Sequence, residues 1–348
     1  MYCLSQPILH KCSEDVVNIP KSSHAIIFEE IVTSMLKYIG MKLITTIAVV
    51  AMIVAGGIFI YFKYFNTIEV DDSGIEIAPE FVFDENQITP PKEVEEPEKV
   101  IEKETILGTS VENRDITAYH FGEGEKEVLF VGGIHGGYSW NTVLLAYELM
   151  EYLEQNPKSI PEGVRVSIIP VLNPDGLNKT VGTAGKFSLT SVPQIQADTV
   201  AGRFNAHTVD LNRNFDCDWQ TKGTWQDKEV SGGSAPFSEP ESLAFKQYIE
   251  SHKPVAVIVW YSSLGGVFAS NCHNGILPET SALTTLYADA SGYQAYENFD
   301  FYEITGDVVN WLAKNNIPAI SVLLTTHTDT EWNMNLSAIE AVLNHYAE

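Results

Sequence analysis

Between Leu43 and Phe62 the chain reads LITTIAVVAMIVAGGIFIYF, twenty residues without a charge. A helix of that length rises about 30 Å, the thickness of a bilayer's hydrocarbon core, and this one has no polar face to turn to water. The segment is therefore expected to span a membrane. Lys37 and Lys42 stand just before it, with Lys11 and Lys21 further back, whereas only Lys63 follows closely before the chain turns acidic. Positive charge is retained on the cytoplasmic side, so the N-terminus is expected inside and everything after the span outside, as a single-pass protein of the cell membrane. A cleaved signal peptide is the rival reading, and it is disfavoured because the apolar run continues through Gly56 and Gly57 into Ile58 and Phe59. Met41-Lys42-Leu43 has the form of a bacterial start. Residues 1–42 are thus read either as a cytoplasmic tail or as a stretch upstream of a true start at Met41, and both stay open.

Beyond the span the composition shifts twice. Residues 63–104 are acidic and proline-punctuated, with TPPKEVEEPEKVIEKE as their core, and apolar residues recur at neither strand nor helix period. That describes a solvated, extended stalk. Residues 105–348 are instead rich in apolar runs, and about 240 residues suffice to bury a sizeable core. The formal charge of the whole chain is -25, which argues against nucleic acid as a partner and against lying on an anionic lipid surface. Of the four cysteines, Cys3 and Cys12 precede the span and Cys217 and Cys272 follow it, and no pair has metal-ligand spacing. A location outside the cytoplasm permits a Cys217–Cys272 bridge without requiring one.

Within the last domain continuous apolar runs alternate with amphipathic ones. EVLFV, VRVSIIPV, PVAVIVWYSS and PAISVLLTT read as buried strands. TVLLAYELMEYLEQ, SLAFKQYIESH, GDVVNWLAKNN and MNLSAIEAVLNHYA read as helices, the first with Leu144, Leu145, Leu149 and Leu153 on one side. Strands without polar alternation, interleaved with helices, predict an α/β fold, a mixed and mostly parallel sheet covered on both faces. Ligands of such sheets sit in the loops at the carboxyl ends of the strands.

Four segments that fall in those loops stand out: GGIHGGYSWNT, NPDG at Asn173–Gly176, RFNAHTVDLNRNF, and YEITGDVVNW followed by ISVLLTTHTDTEW. GGSAPFSEPES lies between them. In this order and spacing they resemble the zinc metallocarboxypeptidases of the carboxypeptidase A type, in their bacterial branch, over about residues 105–348. DLNRNF with PFSEPE is the most specific part. The resemblance implies a carboxypeptidase-like fold and a site in which two His and one Glu hold zinc. The zinc polarises a peptide carbonyl and acidifies a bound water, from which a separate Glu takes the proton. Arginines hold the substrate's terminal carboxylate and a Tyr closes over it.

Carried over position by position, the resemblance places His135 as the first zinc ligand. The Glu ligand belongs at Tyr138 or Ser139, the second His at Tyr261 before Ser262, and the general base at Leu323 within Val322-Leu323-Leu324. Two of three ligands and the base are thus replaced, and His135 is the remnant of the metal set. The binding residues remain: Arg203, Asn212, Arg213 and the closing Tyr302, with the side-chain specificity position near Val309 and Asp307 close by. Arg203 and Arg213 also admit a structural reading, paired with Asp210 or Asp175. His120, His207, His252, His273 and His327 are read as surface or loop residues.

One His cannot hold a tetrahedral zinc, so no cofactor is expected and the domain is read as a non-catalytic binder of peptide C-termini, including peptidoglycan stem peptides. Two alternatives stay open. One is an active zinc carboxypeptidase with a rebuilt site in which His273, His327 or an aspartate joins His135. The other is a structural surface protein. The membrane reading predicts that the full chain sediments with membranes and needs detergent, rather than high salt, for release. Deletion of residues 43–62 should free it, and a chain that remained soluble with the segment intact would refute the anchor.

Overall fold

The computed structural model describes residues 102–347. The expected cytoplasmic tail, membrane span and almost all of the stalk lie outside that range. Among the described residues no helix is long and apolar enough to cross a membrane.

The alternation of apolar runs produces one eight-stranded sheet, in the order β1-β2-β4-β3-β7-β10-β8-β9. The four runs read from sequence form its centre: β3 (Lys126–Val131), β4 (Val164–Ile169), β7 (Ala256–Ser262) and β10 (Ala319–Leu324). They pair in parallel, β4 with β3, β3 with β7 and β7 with β10. At one margin β1 (Glu104–Thr109) and β2 (Asp115–Phe121) add antiparallel. At the other, β8 (Gly266–Ala269) runs antiparallel to β10 and the short β9 (Ala295–Tyr296) parallel to β8. The sheet is thus mixed, with a parallel centre.

A strand turns successive side chains to opposite faces, and here both faces are dry. Val128, Phe130, Ile258, Trp260, Ile320 and Val322 pack under α1 (Trp140–Gln155), α4 (Pro278–Ser291) and α6 (Trp332–Ala347). Leu129, Val131, Val257 and Val259 pack on the other face under α3 (Pro240–His252) and α5 (Val308–Lys314). That is why these strands carry no polar alternation. On α1, Leu145, Leu149 and Leu153 are buried as expected, whereas Leu144 is only half-buried. Two helices escaped the sequence reading: α2 (Pro174–Val181) and α4. Both carry terminal signals, a proline in the first turn and a left-handed glycine at the end, Gly182 and Gly292. A hairpin of β5 (Lys222–Trp225) and β6 (Lys228–Ser231) completes the elements.

His120 corrects an expectation. It is buried on β2 rather than exposed, because Thr105 Oγ1 at 2.9 Å and Ser167 Oγ at 2.8 Å take up both ring nitrogens. Cys217 and Cys272 are joined in a disulfide, both buried, and tie the loop before β5 to the segment after β8. The bridge closes a loop of sequence separation 55, for which chain entropy alone gives about 4 kcal/mol. Paired Cys217→Ser and Cys272→Ser substitution is expected to lower the unfolding free energy by about 2–4 kcal/mol in urea titrations. An unchanged midpoint under reducing and oxidising conditions would show that the bridge does not form in solution.

Candidate functional site

The carboxyl ends of β3, β7 and β10 open into a cleft of about 770 Å³, lined by His135, Arg203, Arg213, Tyr261, Tyr302, Leu323 and others. Of the positions to which the family resemblance assigns a ligand, base or substrate-binding role, all but Ser139 border it. The loop after β3 can turn this tightly only because of its glycines. A Cβ on Gly132 would lie 2.7 Å from the Thr142 carbonyl, and Gly133 has φ +60°. Gly133 N–H donates to Thr142 Oγ1 at 3.0 Å, and His135 follows immediately at the cleft wall.

His135 is buried, and neither ring nitrogen makes a hydrogen bond among the described residues. Its nearest ionic neighbour is Asp210, Nε2 to Oδ1 at 3.5 Å, too long to count as a good hydrogen bond. Burial first, then the neighbouring Arg203, push its pKa down to about 4, so the ring is neutral at pH 7. Asp210 has no exposed surface. Burial alone would raise its carboxyl, but Arg203, with His135 and Arg213, outweighs burial and holds it well below the usual carboxylate range.

Arg203 donates through Nε to Asp210 Oδ2 at 2.9 Å and lies with Nη2 2.8 Å from the same oxygen. Its guanidinium also rests 4.4 Å from the Trp225 ring centroid. The structural pairing with Asp210 left open by the sequence is therefore present. Asp175 goes elsewhere, to Arg114 at 2.6 Å. Among the described residues Arg213 has no carboxylate partner: Nε and Nη2 donate to the Thr224 carbonyl at 3.1 and 2.7 Å, and Nη1 to the Asn212 carbonyl at 2.6 Å. These bonds fix the plane of the fork, and its remaining N–H groups have no acceptor among the described residues.

Asn212 locks three elements together. Its Oδ1 accepts from Val308 N–H at 3.1 Å and from the Tyr261 hydroxyl at 3.3 Å, and its Nδ2 donates to Asp307 Oδ2 at 2.8 Å. Asp307 also caps α5, accepting from Asn310 N–H at 3.0 Å. Burial raises the Asp307 carboxyl, offset in part by these bonds and by Arg213. Val309, the expected specificity position, also borders the cleft. Tyr302 lies half-buried with its ring centroid 5.9 Å from the Arg213 guanidinium carbon.

At the positions where the family resemblance asks for ligands, Ser139 is buried with an unpartnered hydroxyl, and Tyr261 is buried with its ring 5.4 Å from that of His135. Burial pushes the Tyr261 phenol well above its ordinary pKa, so it is a neutral donor rather than an anionic ligand. Leu323 sits beside Tyr261 in the parallel register of β10 on β7. Among the described residues no three His, Cys, Asp or Glu side chains converge. The orphaned nitrogens of His135 suit one metal bond, and the carboxylate nearest to it is committed to Arg203. The donor set does not fit a tetrahedral zinc centre.

The rebuilt site imagined through His273 has no geometric basis: His273 is exposed and pairs with Asp218 at 2.7 Å. His327 is a second correction. It is a loop residue, as expected, but half-buried in the cleft wall, its ring centroid 4.6 Å from that of Tyr138. His207 is exposed and His252 half-buried at the end of α3. The sequence reading offered Asp210 only as a partner for the arginines and named neither Trp225 nor Asn141. Asn141 lies within GGIHGGYSWNT, whereas Trp225 reaches the site only through the fold.

A family model for zinc carboxypeptidase matches residues 92–343. The gamma-D-glutamyl-L-diamino acid endopeptidase 1 of Lysinibacillus sphaericus is 23% identical over 217 residues, 57% of this chain and 54% of that protein. The carboxypeptidase N catalytic chain of Mus musculus is 30% identical over 186 residues, 49% of this chain and 37% of that protein. The chain thus spans about half or less of the curated relatives it matches. Among solved structures, the murein-tripeptide amidase of Escherichia coli O157 superposes with a TM-score of 0.50 at 19% identity, over 70% of this chain and 92% of that one. A carboxypeptidase A from Helicoverpa armigera gives 0.55 at 19% identity, over 70% and 68%. These two likenesses establish the fold alone. With the family match covering most of the chain and the motifs in their expected loops, the chain belongs to the zinc carboxypeptidase family.

Proposed function

We propose that this protein is a membrane-anchored, extracytoplasmic member of the family that holds the C-terminal carboxylates of peptides and does not hydrolyse them by the zinc–water route. One observation carries the reading. The cleft keeps two buried guanidinium groups, Arg203 and Arg213, while Ser139, Tyr261 and Leu323 stand at the positions to which the family resemblance assigns ligands and base. Leu323 has no atom that can take a proton. A buried, pre-oriented arginine fork is costly to maintain and suits a planar carboxylate. The buried Cys217–Cys272 bridge supports an oxidising compartment. The likeness to the gamma-D-glutamyl-L-diamino acid endopeptidase 1 of Lysinibacillus sphaericus supports cell-wall stem peptides as the ligand class. A rebuilt zinc enzyme is the competing reading and requires a retained metal.

Purified protein incubated with zinc and desalted is expected to keep far less than one zinc per chain. About one zinc per chain, with peptide hydrolysis, would overturn the reading. In calorimetric titrations with carboxylate-terminated peptides, Arg213→Lys keeps the charge but loses the fork, and is expected to weaken binding by about tenfold or more. Equal affinity would remove Arg213 from the ligand. Arg203→Met should behave differently, because it strands Asp210 without its partner. It is expected to cost about 3–5 kcal/mol of stability, read as a shifted urea midpoint, and a stable variant would show that Asp210 is neutral.

A further inference from the structure

The cleft is not equally buried throughout. Arg213 is 1% exposed and Val309, the expected specificity position, 4%. A peptide whose terminal carboxylate meets Arg213 therefore buries its last residue, and only the chain before that residue can occupy the mouth. Leu264 and Phe301 also line the cleft, yet they are 39% and 56% exposed. Of the large apolar side chains left exposed among the described residues, these two alone border it.

A single exposed phenylalanine is ordinary on a protein surface. Phe301 differs because its ring is braced. β8 carries the buried Phe268, and the parallel register of β9 on β8 sets Tyr296 beside it. Their rings stack at a centroid distance of 4.6 Å with 7° between the planes. The stack needs Gly266, where a Cβ would lie 2.7 Å from Tyr296 Cε2. Phe268 also meets Phe299 at 5.4 Å and Phe301 at 6.3 Å. Phe299 in turn meets Phe301 at 5.2 Å and Tyr302 at 4.9 Å. All these separations suit favourable aromatic pairs. Five rings thus run from the sheet margin to Tyr302, which stands beside Arg213. Phe301 ends the run with more than half its surface open to water, and covering that surface is favourable.

We propose that Phe301, with Leu264, forms an apolar subsite at the mouth of the cleft that takes a hydrophobic side chain upstream of the carboxylate-bearing residue. The proposal rests on the carboxylate reading above and narrows its ligand class to peptides with an apolar residue before the last. The reach is short. The separations that lead from Arg213 through Tyr302 and Phe299 to Phe301 are 5.9, 4.9 and 5.2 Å. A chain advancing about 3.3–3.6 Å per residue covers that path within about five residues. Asp300 and Glu303 also line the cleft next to the ring, so a cationic side chain is the rival occupant.

The full chain in detergent micelles would be titrated calorimetrically, against a micelle blank, with acetylated glycine pentapeptides ending in alanine. One leucine or lysine would be walked through the upstream positions, a further peptide would end in leucine, and each would be repeated as its C-terminal amide. Leucine at one upstream position is expected to tighten binding about fivefold or more over glycine. Phe301→Ser should bring that ratio close to parity, whereas Phe301→Leu, which stays apolar, should keep most of it. A ring that merely braced its loop would let Phe301→Ser weaken every peptide alike with the ratio unchanged, and that result overturns the proposal. So does a preference confined to the last residue, or one for lysine over leucine. Acid-dependent binding with no leucine preference overturns the subsite alone. No binding, or equal binding of acid and amide, overturns the carboxylate reading and the subsite with it.

Discussion

An ionised carboxylate with no exposed surface organises the cleft. Asp210 stays charged only because Arg203 reaches it through two nitrogens and the Asn212 N–H caps its other oxygen at 3.1 Å. His135 stands 3.5 Å away from that second oxygen. The loops after β3 and before β5 are therefore joined at one buried charge. A buried pair adds little net stability, since desolvation consumes most of the attraction, but neither partner can be removed alone. Such a pair specifies geometry, and here it sets the positions of Arg203 and His135, which line the cleft.

Around that floor the replaced positions are all neutral. Ser139, Tyr261 and Leu323 occupy space that the family resemblance assigns to carboxylate and imidazole ligands and to a base. Zinc with two carboxylates has no formal charge between them, so exchanging all three for neutral side chains leaves the field at the arginines with the same sign. On the proposed reading, that coherence accounts for Arg203 and Arg213 in a buried site without the metal set. Tyr261 is integrated rather than merely inserted, since its hydroxyl donates to Asn212 Oδ1, the oxygen that also accepts from Val308 at the head of α5.

Another part of the cleft wall is built by a different route. Asn141 on α1, Ser262 at the end of β7 and His327 after β10 come from three distant stretches of chain and meet through the Ser262 hydroxyl.

Much of this was legible in the chain itself. β3, β4, β7 and β10 were readable because a strand buried on both faces has nowhere to place a polar residue, and the helices between them show one apolar side. The margins were harder: β1 and β2 pair antiparallel with one side partly wet, and α2 and α4 announce themselves only by a proline and a glycine at their ends. The positions to which the family resemblance assigns ligands were legible because they fall at fixed offsets within local motifs. Sequence alone thus determined the sheet's centre, the place of the cleft at its carboxyl edge and the residues standing at those positions, since each is a matter of period or spacing along the chain. Tertiary structure alone decided which acid Arg203 serves, that Cys217 meets Cys272, that His120 is buried, and that His327 faces the cleft. Each of these depends on the distance and orientation of groups far apart in the chain, and a hydrogen bond or ion pair is set by those two quantities.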